Sequence, residues 1–96
     1  TPAIYVKTGE AVTVDFARYF GGDRSRVALI SAEYDSASSL GLNSSTAAFD
    51  GMKIAFNCPE PGTSMLTIRA RAGDTEFTRE FAIVSRAGLA ANGGWL

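Results

Sequence analysis

The side chains of this chain that could do chemistry are few, and their neighbours limit what each can do. Cys58 is the only thiol. The run Phe56-Asn57-Cys58-Pro59-Glu60 gives it no basic neighbour to favour the thiolate, so it reads as a small, half-buried hydrophobe at a strand end. A single cysteine makes no internal disulfide and cannot supply the several thiolates of a structural zinc site. Histidine is absent from all 96 residues. That removes the usual general base, the usual partner of a nucleophilic serine and the commonest transition-metal ligand. A Ser–His–Asp triad cannot be assembled inside this chain. No phosphate-cradling glycine loop and no convincingly spaced carboxylate pair is present. The expectation is a chain with no catalytic residue, no cofactor and no metal of its own.

Binding chemistry has more candidates. Tyr34 and Asp35, followed by serines, could form a sugar-binding edge, since aromatic faces and short polar groups suit carbohydrate. Three tyrosines and one tryptophan, with no aromatic row, argue against it. Arg69, Arg71 and Arg79, with Glu76 and Glu80, are expected to pair across neighbouring strands on a solvated face, each pair contributing a few tenths of a kcal/mol. A docking surface is the alternative. Arg79 shares parity with Phe77 and Phe81, so either a bulge intervenes or its stem packs with its head in water. Trp95 and Leu96 follow Gly93-Gly94, whose freedom permits a sharp turn. They are candidate docking residues, seated on this module or on a neighbouring domain.

The elements that must hold these residues repeat with a period of two. Ile4 and Val6 alternate with Tyr5 and Lys7, and Val12, Val14 and Phe16 with Thr13 and Asp15. Ile54 and Phe56, then Leu66, Ile68 and Ala70, then Phe81 and Ile83 continue the alternation, the pattern of strands with one face on a core. Residues 27–34 are apolar on both parities at first, as in a more central strand. Thr8-Gly9-Glu10, Gly21-Gly22-Asp23, Asp50-Gly51, Pro59-Glu60-Pro61-Gly62 and Ala72-Gly73-Asp74 punctuate the runs. Asp50-Gly51 reads as a two-residue hairpin loop, since both positions tolerate positive φ. The expected strands are 3–7, 11–16, 27–34, 46–49, 52–57, 64–72 and 75–85, with 36–45 a crossover loop. Seven strands in about 100 residues favour an all-β, immunoglobulin-like sandwich over residues 1–86. Residues 87–96 lack alternation and read as a C-terminal tail.

Composition sets the outer bounds. Ninety-six residues, 46% hydrophobic and 20% charged, suit one globular domain. Folding at this size buries roughly 60–65% of the unfolded chain's surface. Nine basic and ten acidic side chains give a net charge of −1, with no bias toward nucleic acid or an anionic membrane. Apolar stretches fall far short of the ~20 residues of a spanning helix. Thr1-Pro2-Ala3 does not resemble a signal peptide, and the missing initiator Met suggests a piece of a longer chain.

Three patterns carry a family resemblance. Gly9-Glu10-Ala11-Val12-Thr13-Val14-Asp15-Phe16 precedes Tyr19-Phe20; Met52-Lys53-Ile54-Ala55-Phe56 forms a short strand; and Pro61-Gly62 leads into Leu66-Thr67-Ile68-Arg69-Ala70, then Phe81-Ala82-Ile83-Val84. In this order they resemble bacterial cadherin-like, dystroglycan-type modules of immunoglobulin fold. Phe16 and Phe20 would then plug one end of the sandwich. Such modules often carry an Asp-rich loop suited to calcium after the Tyr-Phe pair. Here that stretch is Gly21-Gly22-Asp23-Arg24-Ser25-Arg26, and two arginines beside one Asp oppose calcium. The ending Asn92-Gly93-Gly94-Trp95-Leu96 resembles the C-terminus of subtilisin-like serine peptidases of Bacteroides-type bacteria. That resemblance implies an extracytoplasmic accessory module (periplasmic, cell-surface or secreted) whose partner is the upstream domain of the same chain. A free-standing adhesive or carbohydrate-binding module, with a glycan or protein ligand, is the alternative. Asp35-Ser36-Ala37 resembles the O-glycosylation signal of such bacteria, and Asn43-Ser44-Ser45 matches the N-glycosylation triplet.

Overall fold

The computed structural model describes residues 2–20 and 26–87. Among them run seven strands: β1 Ala3–Lys7, β2 Ala11–Asp15, β3 Val27–Tyr34, β4 Phe49–Asp50, β5 Lys53–Asn57, β6 Gly62–Ala72 and β7 Thr75–Arg86. They form one sheet of order β1-β7-β6-β3 and a second of order β2-β5-β4. The result is the expected all-β sandwich. Strands two, four and five on one sheet, and three, six and seven on the other, is the immunoglobulin division; here the first strand joins the second group, parallel to β7. No described helix is long and apolar enough to cross a membrane.

Alternation builds the core. Ile4, Val6, Ile54, Phe56, Leu66, Ile68, Ala70, Phe81 and Ile83 are all buried, while their strand neighbours, apart from the buried Val84, are exposed or half-covered. Among the described residues the 3-10 turns Phe16–Tyr19 and Ala37–Leu40 add to it. The first, Phe16–Tyr19, starts where β2 was expected to continue: Asp15 Oδ1 accepts from the Ala17 N–H at 2.9 Å and caps the turn. This reels Phe16 into the core, 5.0 Å edge-on from Phe81, with Tyr19 5.1 Å from the same ring. Phe20 meets Phe77 at 5.7 Å. Both phenylalanines are therefore packing residues.

The segment after β3 departs furthest from the alternation. Its 36–45 stretch holds the second 3-10 turn, Ala37–Leu40, which buries Leu40 completely. Residues 46–49 do not form one strand. Tyr34 N–H donates to Ser45 and Ala47 N–H to Ala32, binding 45–47 to the edge of β3, whereas Phe49 and Asp50 pair with β5. The chain thus crosses from one sheet to the other within four residues. The hairpin that follows is shifted by one from the expected Asp50-Gly51 loop. Asp50 pairs with Lys53, so Gly51 and Met52 are the loop, and only Gly51 takes positive φ, at 63°. Glycine first with an ordinary residue second is the type II′ pattern.

Candidate functional site

Tyr34 and Asp35 do not stand together as an exposed edge, although Tyr34 lines the concavity described below. Tyr34 is only 7% exposed, and its burial, with the nearby Cys58 thiol contributing less, pushes the phenol up to about 12. Asp35 is tied to β6. Its Oδ1 accepts from Ser64 Oγ at 3.0 Å and from the Met65 N–H at 2.9 Å. Its own N–H donates to Met65 O, and the next N–H, of Ser36, donates to Ser64 Oγ at 3.0 Å. Asp35-Ser36-Ala37 is therefore the knot that locks the crossover to the four-stranded sheet.

Cys58 is wholly buried in the core, more so than its sequence neighbours suggested. Burial raises its pKa, a hydrogen bond with Ser85 pulling the other way by less. A neutral, enclosed thiol is a packing group.

The arginines divide. Arg69 and Arg71 both reach Glu76, at 2.8 and 2.9 Å, forming one three-member bridge across β6 and β7 on the outer face. Those two guanidiniums hold the Glu76 carboxyl below the usual carboxylate range. Arg79 stands apart. The β6–β7 register is unbroken and pairs it with the buried Ile68, so no bulge intervenes. Its guanidinium lies 4.9 Å above the Phe77 ring and donates to Thr78 O. Glu80 lies outside the Arg69–Glu76–Arg71 bridge.

A shallow concavity of about 300 Å³ lies where the crossover meets β5, lined by Tyr34, Leu42, Asn43, Ser44, Thr46 and Asn57 together with Ala47, Ala48 and Ala55. Its hydrogen-bonding groups are uncharged amides and hydroxyls, a set suited to a neutral, hydroxyl-bearing ligand. Asn43 carries the glycosylation triplet at this site. Thr46 and Asn57 were not singled out from the sequence, because only the 45–47 contact with β3 brings them alongside Asn43. The other candidates, the Asp23 loop and the docking residues Trp95 and Leu96 of the tail, lie outside the described residues.

Compared with protein-family models, curated proteins and solved structures, the chain matches none. Fold and surface together define a β-sandwich module of immunoglobulin-like topology.

Proposed function

We propose that this chain is a non-catalytic accessory module of an extracytoplasmic subtilisin-like peptidase, which supports the catalytic part or positions its substrate. The observation that carries the reading is the pairing of β1 with β7. They run parallel, Ala3 beside Ala82 and Lys7 beside Arg86, so the chain enters and leaves heading the same way. Modules with that geometry can be strung in series behind another domain. Buried polar side chains fit the same reading, because Ser64 and Ser85 join strands and turns together rather than facing a cleft. The sequence resemblances supply the kind of parent.

The test begins with the reading frame upstream of Thr1, where a subtilisin-type Asp, His and Ser set is expected. Removing residues 1–96 from that parent should shorten the half-life of its peptidase activity on heating. Sandwich repeats or a carbohydrate-active domain upstream, or peptide hydrolysis by the isolated chain, would overturn the reading.

The concavity at Asn43, Thr46 and Asn57 favours a second reading, an adhesive or carbohydrate-binding module. Affinity gels of neutral polysaccharides distinguish the two. Retardation abolished by Asn57→Ala supports the second reading, and unretarded migration removes it.

A further inference from the structure

Among the described residues each sheet of the sandwich ends in two edge strands, and three of these four edges are guarded. β4 is two residues long. The edge of β3 is covered by residues 45–47 at one end and interrupted by a register shift at Ile30 further along. β1 has Pro2 before it and Lys7 at its end. Short length, cover, bulges, proline and lysine are the devices by which edges are kept from pairing. Among the described residues, β2 has none of these and only the charge of Asp15 at its end. Its sequence is Ala-Val-Thr-Val-Asp, regular and rich in β-branched residues.

Two hydrogen bonds fix which backbone groups of β2 face outward. Phe16 N–H donates to Met52 O, continuing the even-numbered ladder pairs Val14–Ile54 and Val12–Phe56. Ala55 N–H donates the other way, to Ala48 O, so the odd residues of β5 serve β4. By the alternation of an antiparallel ladder, Ala11, Thr13 and Asp15 therefore turn their N–H groups to the outside of the sheet, Ala11 and Thr13 their carbonyls too. No described residue pairs with that side. The same edge leaves Val12 and Val14, which point at the core, only half-buried.

We propose that β2 is the pairing edge for a second copy of this chain, joined antiparallel about a two-fold axis at Thr13. The strand is self-complementary about that residue. Thr13 meets Thr13, Val12 lies opposite Val14, and Ala11 lies opposite Asp15, so no like charges face each other. Thr13 N–H and C=O exchange two ladder bonds with their counterparts, and each Asp15 N–H reaches the other copy's Ala11 carbonyl. The valines of each copy cover those of the other and the two three-stranded sheets become one of six. One strand edge is a small interface, so association is weak and concentration-dependent.

Sedimentation equilibrium of the 96-residue chain from about 10 µM to about 1 mM reads this directly. The expected result is a monomer–dimer equilibrium. Thr13→Lys, which places two ammonium groups on the axis, should weaken it by about tenfold or more. Its outward-facing position should leave the melting temperature near wild type. Thr13→Pro removes the outward N–H without breaking a bond to β5, and gives the same loss. Thr13→Cys should form a covalent dimer on mild oxidation while Cys58 stays buried. A monomer at every concentration, or a dimer that Thr13→Lys and Thr13→Pro leave intact, overturns the proposal.

Discussion

The carboxylate of Asp35 and the hydroxyl of Ser64, 29 positions apart in the chain, meet at 3.0 Å where the crossover leaves the four-stranded sheet. Ser64 is itself buried, and its oxygen accepts the Ser36 N–H while donating to Asp35. One carboxylate and one hydroxyl thus satisfy two backbone N–H groups, those of Met65 and Ser36. Asp35→Ala removes the acceptor of the Met65 N–H and leaves the Ser64 hydroxyl only the longer contact to Met65 O at 3.5 Å, and should cost about 1 kcal/mol in urea unfolding. Asp35→Asn keeps an acceptor at Oδ1 and should recover most of it. A double-mutant cycle with Ser64→Ala is expected to be strongly non-additive.

Gly62 shows a different constraint. A Cβ built there runs into the backbone carbonyl of Ser39, with Leu40 close behind. The contact is made by the turn that buries Leu40, so relief means moving that turn. Gly62→Ala should therefore lower stability by about 2–3 kcal/mol, as overpacking does. Gly9→Ala meets no atom within 4 Å, and its cost comes from the positive φ of 83° alone. Thermal melts of the two variants should rank Gly62→Ala as the worse.

The bridge of Glu76 with Arg69 and Arg71 makes a pH prediction. The folded carboxyl titrates below its unfolded value, because hydrogen bonds from Arg71 and Arg69 favour the anion. A depressed pKa contributes stability above the unfolded value and loses it as pH falls through the folded one. Glu76→Gln should therefore flatten the acid limb of the stability curve. Since all three groups are exposed, added salt should shrink the difference between wild type and variant. Carboxyl titration by NMR at low and high salt checks both.

Strand positions were legible wherever one face is buried against a regular neighbour. Ile54 and Phe56, or Leu66 and Ile68, alternate because each strand has the other sheet over one side only. The crossover was not, because residues 45–50 serve two sheets in turn and so no single parity describes them. Asp50-Gly51 reads from the sequence as the loop itself, but the pairing of Asp50 with Lys53 moves the loop one residue on. Arg79 holds an inward-facing position in β7 beyond the stretch paired with β1, where a long stem can lie on Phe77 and still reach water. The concavity at Asn43 and Asn57 depends on tertiary contact alone, so no local pattern announces it.

Tyr34 provides the last test, at the alkaline end. Its phenol is packed beneath the crossover, and burial is the larger cause of its rise to about 12, ahead of Cys58. A raised pKa contributes stability that is complete below the unfolded value of roughly 10 and is lost as pH climbs through the folded value. The chain should therefore weaken between about pH 10 and pH 12, as phenolate formation pulls Tyr34 out of the core. Tyr34→Phe removes that titration and should hold its melting temperature further into alkali than wild type. Cys58 supplies a second readout in the same samples. Its enclosed thiol should resist a chromogenic disulfide reagent in native wild type and react as Tyr34 ionises and the core opens. Fast labelling at neutral pH, or identical alkaline profiles for wild type and Tyr34→Phe, would show that this corner is not closed.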